Sequence, residues 1–141
     1  MGAVSLPTRR RALAVAAAGV AALAFPGRAT AYPAVDGYWG TDTTKMLQSY
    51  FGLSQTGCVC HQWADNRQAA LTGGWEWDYT GYGDQTVRSL QSLLGTTVDG
   101  LLGTSDIKAL QRRMGTYVDG TLSAGSECVK ALQRRLLNGY I

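Results

Sequence analysis

Apolar residues recur at intervals of three and four along much of the chain. The clearest triplets are Val87, Leu90 and Leu94, then Ile107, Leu110 and Met114, and then Val129, Leu132 and Leu136. This spacing places the apolar side chains on one stripe of a helix. With a further segment around Leu47, the pattern predicts helices near residues 42–51, 84–94, 105–114 and 126–137. Helices this short must pack together to be stable, so we expect an all-α fold, a small helical bundle.

A Leu-Gln pair and an Asp-Gly turn recur at a fixed spacing. The positions of Leu47 and Leu110, each followed by glutamine, differ by the same interval as those of Gly37 and Gly100. Repetition at a fixed period indicates a repeated structural unit. We therefore predict two tandem units of two turns and two helices each, residues 32–95 and residues 96–141.

The first unit is longer than the second between its second turn and its second helix. In the first unit this part of the chain runs from Gly57 to Leu90, whereas the matching part of the second runs only from Gly120 to Leu132. The difference predicts a 21-residue insertion in the first unit, which the fold does not require. Aromatic residues are concentrated in this segment: Trp63, Trp75, Trp77, Tyr79 and Tyr82.

The start of the chain, residues 1–31, has the pattern of a cleaved signal peptide. Arginines at positions 9–11 precede an apolar stretch at positions 12–25, and the sequence at 29–31 is Ala-Thr-Ala, a cleavage signal. A helix over this stretch, rising about 1.5 Å for each residue, does not cross a hydrocarbon core of about 30 Å. We therefore expect a signal peptide rather than a permanent membrane anchor, and no transmembrane segment in the mature protein. The sequence resembles a twin-arginine signal, and the Sec route stays open.

The basic charge of the chain lies in this leader. The whole sequence has 13 Lys and Arg against 10 Asp and Glu, a net charge of +3. Residues 1–31 contain four arginines and no acid, so 9 basic and 10 acidic residues remain, a formal charge of −1. A basic surface for phosphates is not expected on such a chain, and we predict no nucleic-acid partner.

The three cysteines are Cys58, Cys60 and Cys128. An odd count in an exported chain permits one disulfide and leaves one thiol. Cys58 and Cys60 are too close in sequence to close a useful loop, so a stabilising bridge would join Cys128 to one of them and tie the two units together. The sequence does not choose between Cys58 and Cys60, and a chain that folds before export need form neither bridge.

The first turn and helix resemble a known family. Residues 36–48 follow the order Asp-Gly-x-aromatic-Gly-x-x-Thr-x-x-x-Leu-Gln, which resembles the peptidoglycan-binding domain of bacterial wall hydrolases. The Thr-x-Val-Asp-Gly links at 96–100 and 116–120, and the Gly-Trp-Glu-Trp segment at 74–77, are similar to tandem actinobacterial versions. The resemblance covers residues 36–138. It implies a secreted protein of the cell wall whose partner is peptidoglycan.

Aromatic side chains are the candidates for contact with the wall, because their flat apolar faces stack on sugar rings. Trp75, Trp77 and Tyr79 alternate, so they would share one face of an extended strand. The alternative is that they form a lid over the open side of the bundle. The candidate ligand-binding residues are Trp75, Trp77, Tyr79, Trp63, Tyr38 and Trp39.

The residue inventory gives little support to catalysis or metal binding. A structural zinc site needs four ligands, which would take all three cysteines and His61, the single histidine. A glycosidase needs two facing carboxyl groups, and Glu76 and Asp78 lie on one loop. A calcium loop needs several oxygen ligands, and the Asp-Gly turns offer one each. We therefore predict no enzymatic activity, no catalytic residue, no metal and no cofactor.

Two hypotheses for the function follow. The first is a secreted, non-catalytic peptidoglycan-binding protein. The second is a secreted protein-interaction module, the partner or inhibitor of a wall hydrolase, with the aromatic insertion as its interface, since aromatic residues dominate the energetics of such interfaces.

Overall fold

The computed structural model describes residues 34–141, and the predicted signal peptide lies outside them. The helices are α1 (Thr41–Tyr50), α2 (Gln85–Leu94), α3 (Thr104–Met114) and α4 (Glu127–Leu137). Between α1 and α2 lie strand β1 (Val59–Trp63), a 3₁₀ helix (Ala64–Asn66) and strand β2 (Trp75–Asp78). All four predicted helices are present, each within one residue of its expected bounds.

The helices begin and end where local chemistry allows. Asp84 and Ser126 accept hydrogen bonds from first-turn amides of α2 and α4, which satisfies donors that have no partner inside a helix. Helices α1 and α3 begin instead after Gly40 and Gly103. Gly95 ends α2 in the left-handed conformation, at φ 76°, which glycine adopts without a steric penalty.

The four helices form a closed ring. Helix α1 packs against α2, α2 against α3, α3 against α4, and α4 returns to α1. The leucine of every Leu-Gln pair is completely buried at the centre of this ring: Leu47, Leu90, Leu110 and Leu132. Their burial removes apolar surface from water, at about 25 cal/mol for each Å², and this is what makes four short helices stable together.

The glutamine of each Leu-Gln pair is also buried and holds a turn. Its side-chain oxygen accepts the backbone N–H of a turn glycine at 2.8–3.0 Å. We call this arrangement a glutamine clamp. The four clamps are Gln48 on Gly57, Gln91 on Gly100, Gln111 on Gly120 and Gln133 on Gly37. The first three reach nine residues ahead in the sequence, whereas Gln133 reaches back across the molecule and closes the ring.

The prediction of an all-α fold is wrong, because the inserted segment forms a small sheet. Strands β1 and β2 pair in parallel, with Val59 opposite Trp75 and Trp63 opposite Asp78. Strand β2 alternates tryptophan with acidic residues, and β1 begins at the β-branched Val59 and ends at Trp63, residue types that suit a half-buried pleated surface. The fold is therefore mixed, four helices with a two-stranded parallel sheet.

The insertion is also part of the hydrophobic core, so the prediction that the fold does not require it is wrong. Val59, Ala70, Leu71 and Trp75 are buried in the same cluster as the helix leucines. The backbone of Trp39 exchanges two hydrogen bonds with this segment, at 2.7 and 3.1 Å. A segment this rich in apolar residues gains stability by packing on the helices rather than remaining in water.

Neither of the two bridges to Cys128 that the sequence left open is formed. Cys58 and Cys60 are bonded to each other, with their Cα atoms 5.7 Å apart, within the range that a disulfide requires. Cys128 is a buried free thiol on α4. Burial raises the pKa of Cys128 to about 11, because the thiolate would lose its hydration. The disulfide therefore fixes one strand locally and joins no distant parts of the chain.

Candidate ligand-binding site

The turn that precedes α3 is held by five hydrogen bonds to Gln91. The amides of Asp99 and Gly100 donate to Gln91 Oε1 at 3.0 and 2.8 Å. Gln91 Nε2 has three acceptors, which share its two N–H groups: Asp99 Oδ1 at 2.8 Å, the Leu101 carbonyl at 3.1 Å and Asp106 Oδ2 at 3.1 Å. A buried amide with all its groups bonded is rigid, so this turn is fixed in shape.

The turn that precedes α1, at the matching place in the first unit, is held in the same way. The amides of Asp36 and Gly37 donate to Gln133 Oε1 at 3.1 and 3.0 Å. The two N–H groups of Gln133 Nε2 are likewise shared by three acceptors, Asp36 Oδ1, the Tyr38 carbonyl and Thr43 Oγ1, at 2.9–3.1 Å. The two glutamines therefore bond matching positions, except that the last acceptor is the Asp106 carboxylate in one turn and the Thr43 hydroxyl in the other.

A groove lies beside each of these turns, and the two grooves differ in size. The one beside residues 99–106 has a volume of about 630 Å³, whereas the one beside residues 36–43 has about 210 Å³. The larger groove is also lined by Trp63, Asn66 and Thr97, and we call it the Trp63 groove. The smaller is also lined by Thr72, and we call it the Thr72 groove. Ligand pockets commonly have about 300–1,000 Å³, so only the Trp63 groove has the usual size.

Gly40 and Gly103, the residues just before α1 and α3, show why the two grooves differ in volume. A Cβ atom built on Gly40 would lie 2.9 Å from Thr72 Oγ1, too close for a real contact. The matching Cβ on Gly103 would lie 3.8 Å from Asn66 Nδ2, an ordinary contact distance. Thr72 and Asn66 both belong to the inserted segment. The insertion therefore closes one groove with Thr72 and leaves the other open beside Asn66.

Trp63 is held in place before any ligand arrives. Its backbone pairs with Asp78 in the sheet. Its ring meets the ring of Tyr79 edge-to-face, with centroids 5.0 Å apart. The Tyr79 hydroxyl donates to Asp65 Oδ1 at 3.0 Å, and this hydrogen bond to a carboxylate raises the pKa of Tyr79. A preorganised aromatic ring loses little conformational freedom on binding.

Apart from Leu101 and Gly103, the other residues that line the Trp63 groove are polar, and two of them are carboxylates. Asp106, only 6% exposed, accepts the Gly103 amide at 2.9 Å as well as the Gln91 amide, both at Oδ2. Asp99 accepts the Leu101 amide at 2.9 Å and the Gln91 amide, both at Oδ1. Within residues 34–141, Asp106 Oδ1 and Asp99 Oδ2 make no hydrogen bond, so each carboxylate keeps one acceptor for a ligand.

Two of the predicted ligand-binding residues lie in the core. Trp39 is 0% exposed and Trp75 is 7% exposed. Their rings are in edge contact, with centroids 5.2 Å apart, and Trp75 Nε1 donates to the Trp39 carbonyl at 2.9 Å. The prediction that these two tryptophans contact ligand is wrong, because large apolar rings close to the core are buried by it. The buried position of Trp75 fits the alternative interpretation, in which the aromatic residues cover the open side of the bundle.

The other predicted residues are accessible but are not gathered at one site. Trp77 is half-buried, stacked on Trp75 at 5.5 Å, with the guanidinium carbon of Arg67 5.3 Å from its ring centroid. Tyr38 is exposed and lines the Thr72 groove. Tyr79 is exposed beside Trp63. Trp63 is the one predicted residue that lines the larger groove.

The sequence analysis missed Asn66, Thr97 and the turn at 99–106. A signal for the turn is present in the sequence, because Leu101 occupies the position in the second unit that corresponds to the candidate Tyr38 in the first. Because the candidate ligand-binding residues were chosen for their aromatic rings, Leu101 was not among them. No comparable signal marks Asn66, because its segment is held beside the turn by long-range contacts, the hydrogen bonds of Gln62 with the Gly100 carbonyl and the Leu102 amide.

Two further polar groupings lie near the insertion. The Cys58, Cys60 and Glu76 ligand atoms lie within 4.8 Å of one another, but the two sulfurs are bonded to each other and offer no thiolate to a metal. His61 Nδ1 lies 2.8 Å from Asp78 Oδ2 on the surface, and this contact lowers the pKa of Asp78. The absence of catalysis stays a prediction.

No protein-family model matches the chain, and comparisons with curated proteins and with solved structures find no match. Among residues 34–141, every helix is too short or too polar to cross a membrane. The function is therefore inferred from the geometry of the grooves and from the sequence.

Proposed function

We propose that the protein is a non-catalytic peptidoglycan-binding protein, secreted to the cell wall, and that it binds through the Trp63 groove. One observation carries the proposal. Two turns are clamped by glutamines that bond matching positions, but only one of the turns borders a groove large enough for a ligand. The open groove has an aromatic wall, Trp63, which the insertion supplies.

The sequence pattern supports the same function. Residues 36–48 resemble the peptidoglycan-binding domain, and the Asp-Gly and Leu-Gln elements of that pattern form the clamped turns and the helix core. An open groove with a flat aromatic side chain and several polar groups also suits an extended, polar polymer.

Co-sedimentation with purified wall sacculi tests this proposal. Mature protein should pellet with the sacculi, and Trp63→Ala should weaken binding by at least tenfold, because the stacking surface is lost. Tyr82→Ala is the matched control: Tyr82 is an aromatic residue of the same segment, is 67% exposed and does not line the groove. It should bind like the unaltered protein. Unaltered protein that stays in the supernatant at both low and moderate salt would refute the proposal.

A second variant separates binding from folding. Trp63 contacts Tyr79, so its removal also changes packing. Gly103→Leu instead fills the groove from the turn, at a position with φ −122° where a Cβ meets no close contact. It should reduce pelleting while circular dichroism keeps the helical signal, and the melting midpoint should fall only by the modest cost of losing the glycine cap of α3. Full binding by a folded Gly103→Leu protein would place the ligand elsewhere.

A protein partner is the second candidate function. Tyr79 and Tyr82 are 62% and 67% exposed on the same segment, and exposed tyrosines are frequent anchors of protein interfaces. Folded protein used as bait in culture supernatant should then retain a wall hydrolase in stoichiometric amount. That capture should be lost in Tyr82→Ala and kept in Gly103→Leu, the opposite of the pattern expected for wall binding.

A further inference from the structure

We infer that the Trp63 groove takes the glycan strand of the wall, as a run of neutral N-acetylated hexosamines, and not the stem peptide. The inference rests on the proposed function and goes further by naming the ligand class. It depends on three properties of the groove: its charge, its free hydrogen-bonding groups and its fixed aromatic ring.

The charge of the groove disfavours the stem peptide. Two carboxylates, Asp99 and Asp106, line it, and the described residues contribute no lysine, arginine or histidine to its walls. Stem peptides carry free carboxylates, and proteins bind carboxylates with arginine and lysine. Adjacent arginines occur near the ends of α3 (Arg112 and Arg113) and α4 (Arg134 and Arg135), but none of them lines this groove. A neutral sugar meets no such repulsion.

The free groups of the groove match a sugar. Asp106 Oδ1 and Asp99 Oδ2 can accept hydrogen bonds from ring hydroxyls, because their other oxygens are already occupied by the Gln91 clamp and by turn amides. Thr104 and Ser105 add hydroxyls that both donate and accept, and Asn66 adds an amide suited to an acetamido group. The Thr72 groove has Thr43 where the Trp63 groove has Asp106, and it lacks the tryptophan.

The fixed ring supplies the apolar part of the recognition. A hexosamine has a face of C–H groups, which stacks on a flat aromatic ring. Trp63 is restrained by strand pairing and by Tyr79, so its ring need not be ordered on binding. Its neighbours on the groove wall are polar, which leaves Trp63 and Leu101 as the apolar contacts.

Competition for sacculi tests the ligand class. Protein bound to sacculi is challenged with soluble β-1,4-linked N-acetylglucosamine tetramer, or with free stem peptide at the same concentration. The tetramer should release the protein and the peptide should not. Direct titration with the tetramer, followed by tryptophan fluorescence, should saturate and should weaken at least tenfold in Trp63→Ala and in Gly103→Leu. Its affinity should change less than twofold between low salt and high salt, because the ligand is neutral.

The outcomes separate the two proposals. Release by the peptide and not by the tetramer overturns the glycan assignment and leaves peptidoglycan binding intact. Release by neither, or titration that is unchanged in both groove variants, also overturns the glycan assignment. Failure of the protein to pellet with sacculi overturns the proposed function itself. The circular dichroism of each variant is recorded first, so that loss of binding in an unfolded protein is not counted.

Discussion

The two clamped turns of this protein share one construction and differ in what covers them. The turn at 99–106 and the turn at 36–43 are each fixed by one buried glutamine, which accepts two backbone amides and donates to three acceptors through its two N–H groups. Over the first lie Trp63 and Asn66, and a groove of about 630 Å³ remains open. Over the second lies Thr72, and about 210 Å³ remains. The difference teaches that the helical ring builds two similar clamped turns, and that the inserted segment determines which turn borders a groove large enough for a ligand.

The first prediction tests whether the two clamped turns contribute equally to stability. Gln91→Leu should lower the free energy of unfolding by about 3 kcal/mol or more, because several buried turn groups lose their partner at about 1–3 kcal/mol each. Gln133→Leu should cost about the same, to within roughly 1 kcal/mol. Urea unfolding measures both values.

Ser92→Ala, on the exposed face of α2, provides the control and should change stability by less than about 0.5 kcal/mol. A loss below about 1 kcal/mol in Gln91→Leu would show that water replaces the clamp and that the turn is not fixed by it. A large inequality between the two glutamine variants would break the comparison itself.

The second prediction tests what closes the smaller groove. Gly40→Ala should be more destabilising than Gly103→Ala by about 0.5–1 kcal/mol, because its Cβ displaces the Thr72 side chain from its rotamer. Both variants lose a glycine helix cap, and that common cost cancels in the difference. Thermal and urea unfolding of both proteins give the difference.

Removal of Thr72 completes this test. In a Thr72→Ala background the difference between Gly40→Ala and Gly103→Ala should vanish, since the crowding atom, Oγ1, is gone. If the difference persists unchanged, something other than Thr72 closes the groove.

The third prediction concerns whether a disulfide joins the two halves of the chain. It has the smallest expected effect on stability near neutral pH. Native protein should react with iodoacetamide at pH 8 at least 100-fold more slowly than denatured protein, because Cys128 is buried and its pKa is about 11 instead of 9.0. Denaturation without reductant should expose one thiol per chain, and peptide mapping should place it at Cys128. A label on Cys58 or Cys60 would show instead that this cysteine is the free thiol. Cys128 would then be bonded to the remaining one, and the two halves would be joined covalently.

The same thiol gives a pH dependence with a definite sign. Its folded pKa lies above the unfolded value of 9.0, so the folded state keeps its proton to higher pH. Its contribution to stability is therefore constant below pH 9 and is lost as the pH rises from 9 toward 11. Cys128→Ala should lack that part of the alkaline decline.

The helices could be predicted from sequence because their signals are local. The spacing of Val87, Leu90 and Leu94, with a glycine one residue later, specifies both a buried stripe and a helix end. The glutamine clamps were not predicted, although Gln48, Gln91 and Gln111 each precede a turn glycine by nine residues. A glutamine next to a core leucine is usually interpreted as a surface residue, and only burial shows that it is structural.

The site could be predicted only in part. Trp63 is a candidate because of its aromatic ring, and it does line the open groove. Trp75 is a candidate for the same reason and lies in the core. Alternation in a strand shows which residues share a face but not which face meets the core, since that depends on pairing between distant residues, such as Val59 and Trp75. The position of Asn66 likewise depends on long-range contacts, since the neighbouring Gln62 bonds the Gly100 carbonyl and the Leu102 amide.

The closing clamp of the ring has a consequence for the order of folding. Gln91 and Gly100 are nine residues apart, whereas Gln133 and Gly37 are separated by 96. Closing the longer loop costs about 2 kcal/mol more in chain entropy, and on a ribosome it must await α4, roughly 5–20 s after Gly37 has been synthesised. The turn that borders the open groove can thus form its hydrogen bonds to Gln91 early, because the two are close in sequence. The bond between Gln133 and Gly37, which closes the ring, can form only after α4 is present.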